Sequence, residues 1–180
     1  MRRIVVLDGH DASGKSTLAP LLASSLGGAY AQPFAETLGD LIAWLWGSER
    51  FEEANDVAHL AVERALAQGD ETTPLVFDRH WLTLFTVLPE RLHASWLPLP
   101  LTVLCWTDGA TTARRLAQRS EPVGDLAQHE HYCRLYRELA LVHDVPILDT
   151  TALSVQAAVD RLVNHSSVMS RVGVRPAGGR

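Results

Sequence analysis

The stretch Gly9-His10-Asp11-Ala12-Ser13-Gly14-Lys15-Ser16 decides how this chain is read. Two glycines bracket four residues, and a lysine and a hydroxyl residue follow directly. Before it, Ile4–Leu7 is a short apolar run rich in β-branched residues, the pattern of a strand buried on both faces. Behind it, Lys15–Leu26 has helical character and is closed by Gly27-Gly28. Pro20 falls inside that helix and should kink it or be confined to its early turns. A strand, a glycine loop and a helix in this order make a cradle for phosphates. Glycines let the backbone wrap closely, and successive N–H groups at a helix N-terminus favour anionic oxygens. Gly9, Asp11, Ala12, Ser13, Gly14, Lys15, Ser16 and Thr17 are therefore the expected phosphate-holding residues. Lys15 would neutralise terminal phosphate charge, and Ser16 would offer its hydroxyl to Mg²⁺.

Working outward, strands and helices alternate. Ala29–Gln32 reads as a second strand, Leu75–Phe77 as a third, Leu101–Trp106 as a fourth and Pro146–Leu148 as a fifth. Helices are expected over Thr37–Trp46, Glu53–Gln68, Trp81–Leu88, Ala110–Arg119, Asp125–His143 and Leu153–Val163. This alternation predicts an α/β fold with a mainly parallel sheet flanked by helices. The expected domain spans residues 1–165, with residues 166–180 as a poorly ordered tail. The length of 180 residues fits that single domain. The apolar pattern of Thr37–Trp46 and Glu53–Gln68 fits burial in the core; a homodimer through these helices is what the family resemblance described below implies.

Charge and composition exclude several classes. Hydrophobic residues make up 47% and charged residues 21%, which is globular rather than disordered. Lys and Arg number 16 against 21 Asp and Glu, a net charge of 16 − 21 = −5, so a general nucleic-acid partner is not expected. Ile4–Leu7 is too short for a leader or a membrane span, which points to the cytoplasm. Cys105 and Cys133 read as two buried thiols.

Further chemistry gathers at strand ends and before a polar loop. Phe77-Asp78-Arg79-His80 closes the third strand, where ligands bind in open α/β sheets. Asp78 can hold Mg²⁺ or orient an acceptor hydroxyl, and Arg79 can grip a phosphate with two prongs. Arg114, Arg115 and Arg119 precede the loop Ser120–Gly124, the composition of a cationic lid around 114–126. Glu36 is a spare carboxylate near the expected acceptor pocket. Among the five tryptophans, Trp81 follows the Asp-Arg-His motif and is the candidate for stacking on a substrate ring, the rest being core or pocket wall. His10 contacts a nucleotide or fills space, and His129 and His131 read as solvated surface without metal-ligand pairing.

These pieces, in this order, resemble the thymidylate kinase family of nucleoside monophosphate kinases over about residues 3–163. Gly9–Thr17 is similar to the family loop, Ala31–Asp40 to its Arg-Glu-Pro segment, Asp78-Arg79-His80 to its Asp-Arg-Tyr/His motif, and His131–Ala140 to the helix after the lid. The resemblance implies a five-stranded sheet of order 2-3-1-4-5. It also implies γ-phosphoryl transfer from ATP, with Mg²⁺, to a nucleotide-like acceptor. It would set Asp11 on the acceptor's sugar hydroxyl, Arg64 on its ring and Arg79 on its phosphate, with Arg115 and Arg119 closing over the transferring group.

The departures fall in the acceptor pocket. Ala31 replaces the family's arginine, Leu60 replaces the stacking aromatic, and Thr83, Leu84 and Val87 stand where the family offers polar residues and a tyrosine. A missing stacking ring forfeits about 1 kcal/mol. These changes point away from thymidylate itself. They leave open a kinase acting on a hydroxyl of a nucleoside, sugar or antibiotic-like natural product, with Glu36 or Asp78 as base, and a nucleotide-dependent regulator.

Overall fold

A computed structural model describes residues 2–68, 70 and 72–165. The expected tail, residues 166–180, lies outside the described residues. Five strands form one parallel sheet: β1 (Ile4–Asp8), β2 (Ala29–Ala31), β3 (Leu75–Asp78), β4 (Leu101–Trp106) and β5 (Ile147–Asp149). Their order is β2-β3-β1-β4-β5, as the resemblance implied. β1 is central, with Leu7 opposite Asp78 on one side and Val103 on the other. Every strand therefore delivers its carboxyl end to the same edge, where the loops collect.

Seven helices follow: α1 (Lys15–Ser25), α2 (Glu36–Gly47), α3 (Phe51–Leu66), α4 (Trp81–Phe85), α5 (Gly109–Gln118), α6 (Leu126–Val142) and α7 (Val155–Asn164). α1 and α7 cover one face of the sheet, where Leu18, Leu22, Ala158 and Leu162 pack on Val5, Leu7 and Val103. α2, α3, α4 and α6 cover the other, joining Ile42, Ala58, Trp81, Leu104 and Tyr136. Val5 and Leu7 share a cluster while Val6 joins Phe77 in another, the alternation that a strand buried on both faces imposes. Pro20 is accommodated inside α1. The carbonyl it leaves without an intrahelical donor belongs to Ser16, in the first turn beside the loop.

The expected helix Trp81–Leu88 is shorter than its pattern suggested. It ends at Phe85, and a 3₁₀ helix over Glu90–Trp96 follows that the sequence reading missed. Pro89, with its fixed φ, separates the two. Trp81, the candidate for ring stacking, is core: it is 1% exposed. Its Nε1 donates to Thr102 Oγ1 at 2.8 Å, and its ring meets Phe85 and His143 edge-on. The first turn of α4 faces the sheet, so the residue after the Asp-Arg-His motif points inward. Trp44 and Trp46, by contrast, are not core: both are exposed on α2, where Trp46 serves as a cavity wall. Cys105 and Cys133 are buried free thiols, as expected. No described helix is long and apolar enough to cross a membrane.

His80 lies in the core against Phe77 and the edge of Trp96, and its Nδ1 has no partner. Burial pushes its imidazole down to about 3, with His59 adding to the shift. The unfolded chain binds this proton near 6.5, so the neutral ring's stability is present above that value and is lost as pH falls towards 3. Replacing His80 with Leu should flatten the fall in urea-unfolding free energy between pH 6.5 and 4.5. It should leave stability at pH 7.5 unchanged or higher, because an unpaired buried nitrogen is removed.

Candidate active site

The loop between β1 and α1 folds around three positive-φ residues: Gly9 at 142°, Ala12 at 54° and Gly14 at 97°. At Gly9 the backbone passes so close to β4 that a Cβ would collide with the Cys105 carbonyl. Gly14 starts α1 without a side-chain cap, and no acidic residue stands in the first turn. By contrast α5, α6 and α7 are capped by Asp108, Asp125 and Ser154. The free N–H groups of α1 thus open onto a cleft of about 770 Å³ lined by Asp11, Lys15, Ser16, Thr17 and Arg119. Such an end attracts anions.

Lys15 is buried under the loop. Its Nζ donates to the His10 carbonyl at 2.6 Å and to Ser13 Oγ at 3.2 Å. Burial, reinforced by Arg79, pushes its ammonium down to about 8, against the pull of Asp78 and Asp11. Ala12 is the one loop residue in the left-handed region with a side chain, a conformation that costs roughly 1 kcal/mol. Its carbonyl accepts from Arg115 Nη1 at 3.0 Å.

That contact revises the lid. Arg115 also donates to Thr150 Oγ1 at 3.2 Å and to the Thr150 carbonyl at 2.6 Å. It braces the loop against the β5–α7 turn rather than standing over the cleft, because the C-terminal half of α5 lies directly above Ala12 and Thr150. Arg114 is tied to Thr111 on its own helix. Arg119 remains, lining both the cleft at the α1 N-terminus and a groove of about 160 Å³ with Thr17, Arg115 and Leu153.

At the end of β3, Arg79 takes φ 73°, unusual for a side chain of this size and typical of constrained site residues. The strain turns its guanidinium across the loop. Nη1 donates to the Gly9 carbonyl at 3.2 Å, and Nη2 pairs with Asp11. Asp11 is held below the usual carboxylate range: burial alone would raise it, but the charges of Arg79 and Lys15, with His10 and the hydrogen bond from Arg79 adding, outweigh that. Asp78 is directed elsewhere, with Oδ2 accepting from Gln32 Nε2 at 2.8 Å and Oδ1 buried without a partner. It does not line the cleft at the α1 N-terminus, so of the two expected metal-holding residues Ser16 alone opens onto it.

A second cavity, about 630 Å³, lies beyond Arg79 between α2, α4 and α6. Phe34, Glu36, Trp46, Thr83, Leu84 and Tyr132 are among its walls. Leu60 and Arg64 are not. α3 buries Ala54, Ala58, Ala61 and Ala65, which leaves residues 60 and 64 on the opposite face. Leu60 faces solvent, and Arg64 borders a separate groove with Tyr30 and Gln32.

The sequence reading missed three residues here. His129, expected at the surface, is buried, with Nδ1 2.8 Å from His10 Nε2 and its other nitrogen on the Val123 carbonyl. Its spacing with Cys133, Tyr136 and Ala140, the other buried residues of α6, was the available signal. Tyr132 stacks on His10 with centroids 5.4 Å apart. Burial pushes His10 down to about 4, His129, Lys15 and Arg79 adding to the shift and Asp11 opposing it. Asp8, the third, is fully buried. It accepts from the backbone N–H groups of Gly9, His80 and Leu82 and from the Thr83 hydroxyl, which itself accepts from Tyr136. Among the described residues, no group of three or more His, Cys, Asp or Glu could hold a metal.

Comparison with known proteins places this geometry in context. No protein-family model and no curated protein matches the sequence. Solved structures do. Thymidylate kinase from Candida albicans is 14% identical, with a TM-score of 0.65 over 95% of this chain and 93% of that one. Deoxyadenosine kinase from M. mycoides, with bound dATP, is 15% identical, with a TM-score of 0.58 over 89% and 97%. The YorR protein of Bacillus subtilis, in complex with phosphorylated GDP, is 15% identical, with a TM-score of 0.56 over 89% and 93%. The chain shares its fold with these structures.

Asp8 generates a direct test. Asp8→Ala leaves buried N–H donors unpaired at the start of α4 and should lower unfolding free energy by about 3 kcal/mol, read by urea denaturation.

Proposed function

We propose that the protein is a phosphotransferase that moves the γ-phosphoryl group of ATP to a nucleoside- or nucleotide-like acceptor. One observation carries this reading: the two cavities meet, and Asp11, Arg79 and His129 line both. A nucleotide-dependent regulator needs only a phosphate cleft. A second, ring-walled cavity opening onto the same point suits a second substrate.

In this reading the triphosphate lies along the α1 N-terminus. Lys15 exchanges its loop partners, the His10 carbonyl and Ser13 Oγ, for phosphate oxygens. The groove between Thr17, Arg115 and Leu153 receives the donor's base, and Arg119 reaches the phosphates from the rim. Mg²⁺ fits at Ser16, whose hydroxyl opens onto the cleft; the ion keeps most of its shell as water and phosphate oxygens, so one protein oxygen suffices. It would neutralise charge on the β- and γ-phosphates. Asp78, with an unpartnered oxygen and Lys15 nearby, supports the site from behind. Arg79 stands at the junction of the two cavities. Two unpaired, buried thiols suit the cytoplasm as the working compartment.

Incubation with Mg-ATP and a panel of nucleosides and nucleoside monophosphates should yield ADP. Lys15→Ala should lower that rate at least about 100-fold. ADP formation unaffected by the substitution would reject the reading. Because the ligand-free Lys15 ammonium deprotonates near 8, ATP binding should weaken above that pH. Titration calorimetry should find affinity about fivefold lower at pH 9 than at pH 8, and Lys15→Arg should remove the dependence.

A further inference from the structure

Resting on the phosphotransfer reading above, we infer that the acceptor is an alcohol that carries no phosphate, and that the Asp11 carboxylate takes up its hydroxyl proton. The charges that face the acceptor cavity lead there. Among the described residues lining it, Arg79 is the one permanently charged cation, against the carboxylates of Asp11, Glu36 and Asp40. Arg79 is already engaged by Asp11 and the Gly9 carbonyl. His10, half-buried and neutral, adds no positive charge at pH 7. Glu36 and Asp40, one turn apart on α2, both border the space. The N-terminus of α2 would attract an anion, but Glu36 occupies its first turn. A phosphate monoester brought into this cavity meets like charge with no free arginine to offset it, a mismatch that selects against such partners. A hydroxyl compound meets carboxylate acceptors for its O–H groups and the rings of Phe34, Trp46 and Tyr132 for its body.

The same geometry singles out the proton acceptor. Glu36 lines the acceptor cavity but not the phosphate cleft, and Asp78 is turned to Gln32. Asp11 is the carboxylate that reaches both. Both nitrogens of His129 are taken by His10 and Val123. The alcohol oxygen attacks the γ-phosphorus from the acceptor side. The new O–P bond forms as the bond from phosphorus to the β–γ bridging oxygen breaks, and ADP leaves with that electron pair. The hydroxyl proton passes to Asp11 and from there to water. Pairing with Arg79 makes Asp11 a weak base, which suffices because the hydroxyl becomes acidic only as the O–P bond forms.

The test uses the full chain with Mg-ATP and matched pairs of acceptors: thymidine, deoxyadenosine, deoxyguanosine and deoxycytidine, each against its own 5′-monophosphate, together with glucose and an aminosugar. At least one alcohol should raise ADP formation tenfold or more, and no monophosphate should exceed its own nucleoside. Asp11→Asn should lower kcat on that alcohol about 100-fold while the KM for ATP changes less than about threefold. With Arg79 released, the same variant should bind monophosphates more tightly than the wild type does, read as a lower inhibition constant. Stimulation by a monophosphate above its nucleoside, no stimulation by any alcohol, or an unchanged kcat in Asp11→Asn overturns the inference. Failure of the underlying phosphotransfer reading is distinct: there neither alcohols nor monophosphates raise ADP formation, and Lys15→Ala leaves it unchanged.

Discussion

One buried carboxylate organises this site. Asp8 ends the central strand, and its two oxygens accept from the N–H of Gly9, from the N–H groups of His80 and Leu82, and from Thr83. Burial drives its carboxyl towards the neutral form; the Thr83 hydrogen bond, Arg79, Lys15 and the His80 N–H pull the other way. A carboxylate removed from water is tolerated when its lone pairs are all used. The consequence is geometric. The start of the phosphate loop and the start of α4 are fastened to the same side chain, so Arg79, which lies between them in space, has little choice of direction.

Constraint of a second kind comes from strained backbone held by specific partners. Ala12 occupies the left-handed region while Arg115 holds its carbonyl, and Arg115 is in turn fixed on Thr150. Thr150 reaches the loop itself, donating from Oγ1 to the Ser13 carbonyl at 2.9 Å. Arg79 takes φ 73° with its N–H on the Leu7 carbonyl at 3.0 Å. Such conformations persist only where the surroundings over-determine them. Here the loop is braced on one side by Thr150, between β5 and α7, and on the other by Arg79 at the end of β3, so its backbone donors are held in place. Preformed donors need little reorganisation when charge develops on a transferring group.

Legibility in the sequence followed the range of the interactions. The loop Gly9–Ser16 was readable because each residue type answers a local demand: positive φ, close backbone approach, an unfilled helix end. The strands were readable because a sheet buried on both faces needs continuous apolar runs. α6 was readable as a helix, yet the meaning of His129 was not, since a neighbour more than a hundred positions away in the loop decides it. Arg115 and Arg119 looked equivalent at i, i+4, but one braces the loop and the other opens onto the cleft. Trp81 was the candidate for ring stacking by its place after the Asp-Arg-His motif and is core by its packing. Leu60 and Arg64 were assigned by resemblance, and the alanine stripe of α3 turned them outward.

By itself, the sequence determined the architecture and the shape of the Gly9–Ser16 loop. Periodicity, glycine placement and one lysine act within a few residues of each other, so the chain writes them locally. The tertiary structure decided what faces the second cavity and where the two cavities meet. Asp11, Arg79 and His129 come from three elements far apart in the chain, and only the parallel packing of β1 beside β3, with α6 packed on β4 and α4, brings them into one place. Charge balance in a cavity is a sum over neighbours in space, and no linear pattern encodes that sum.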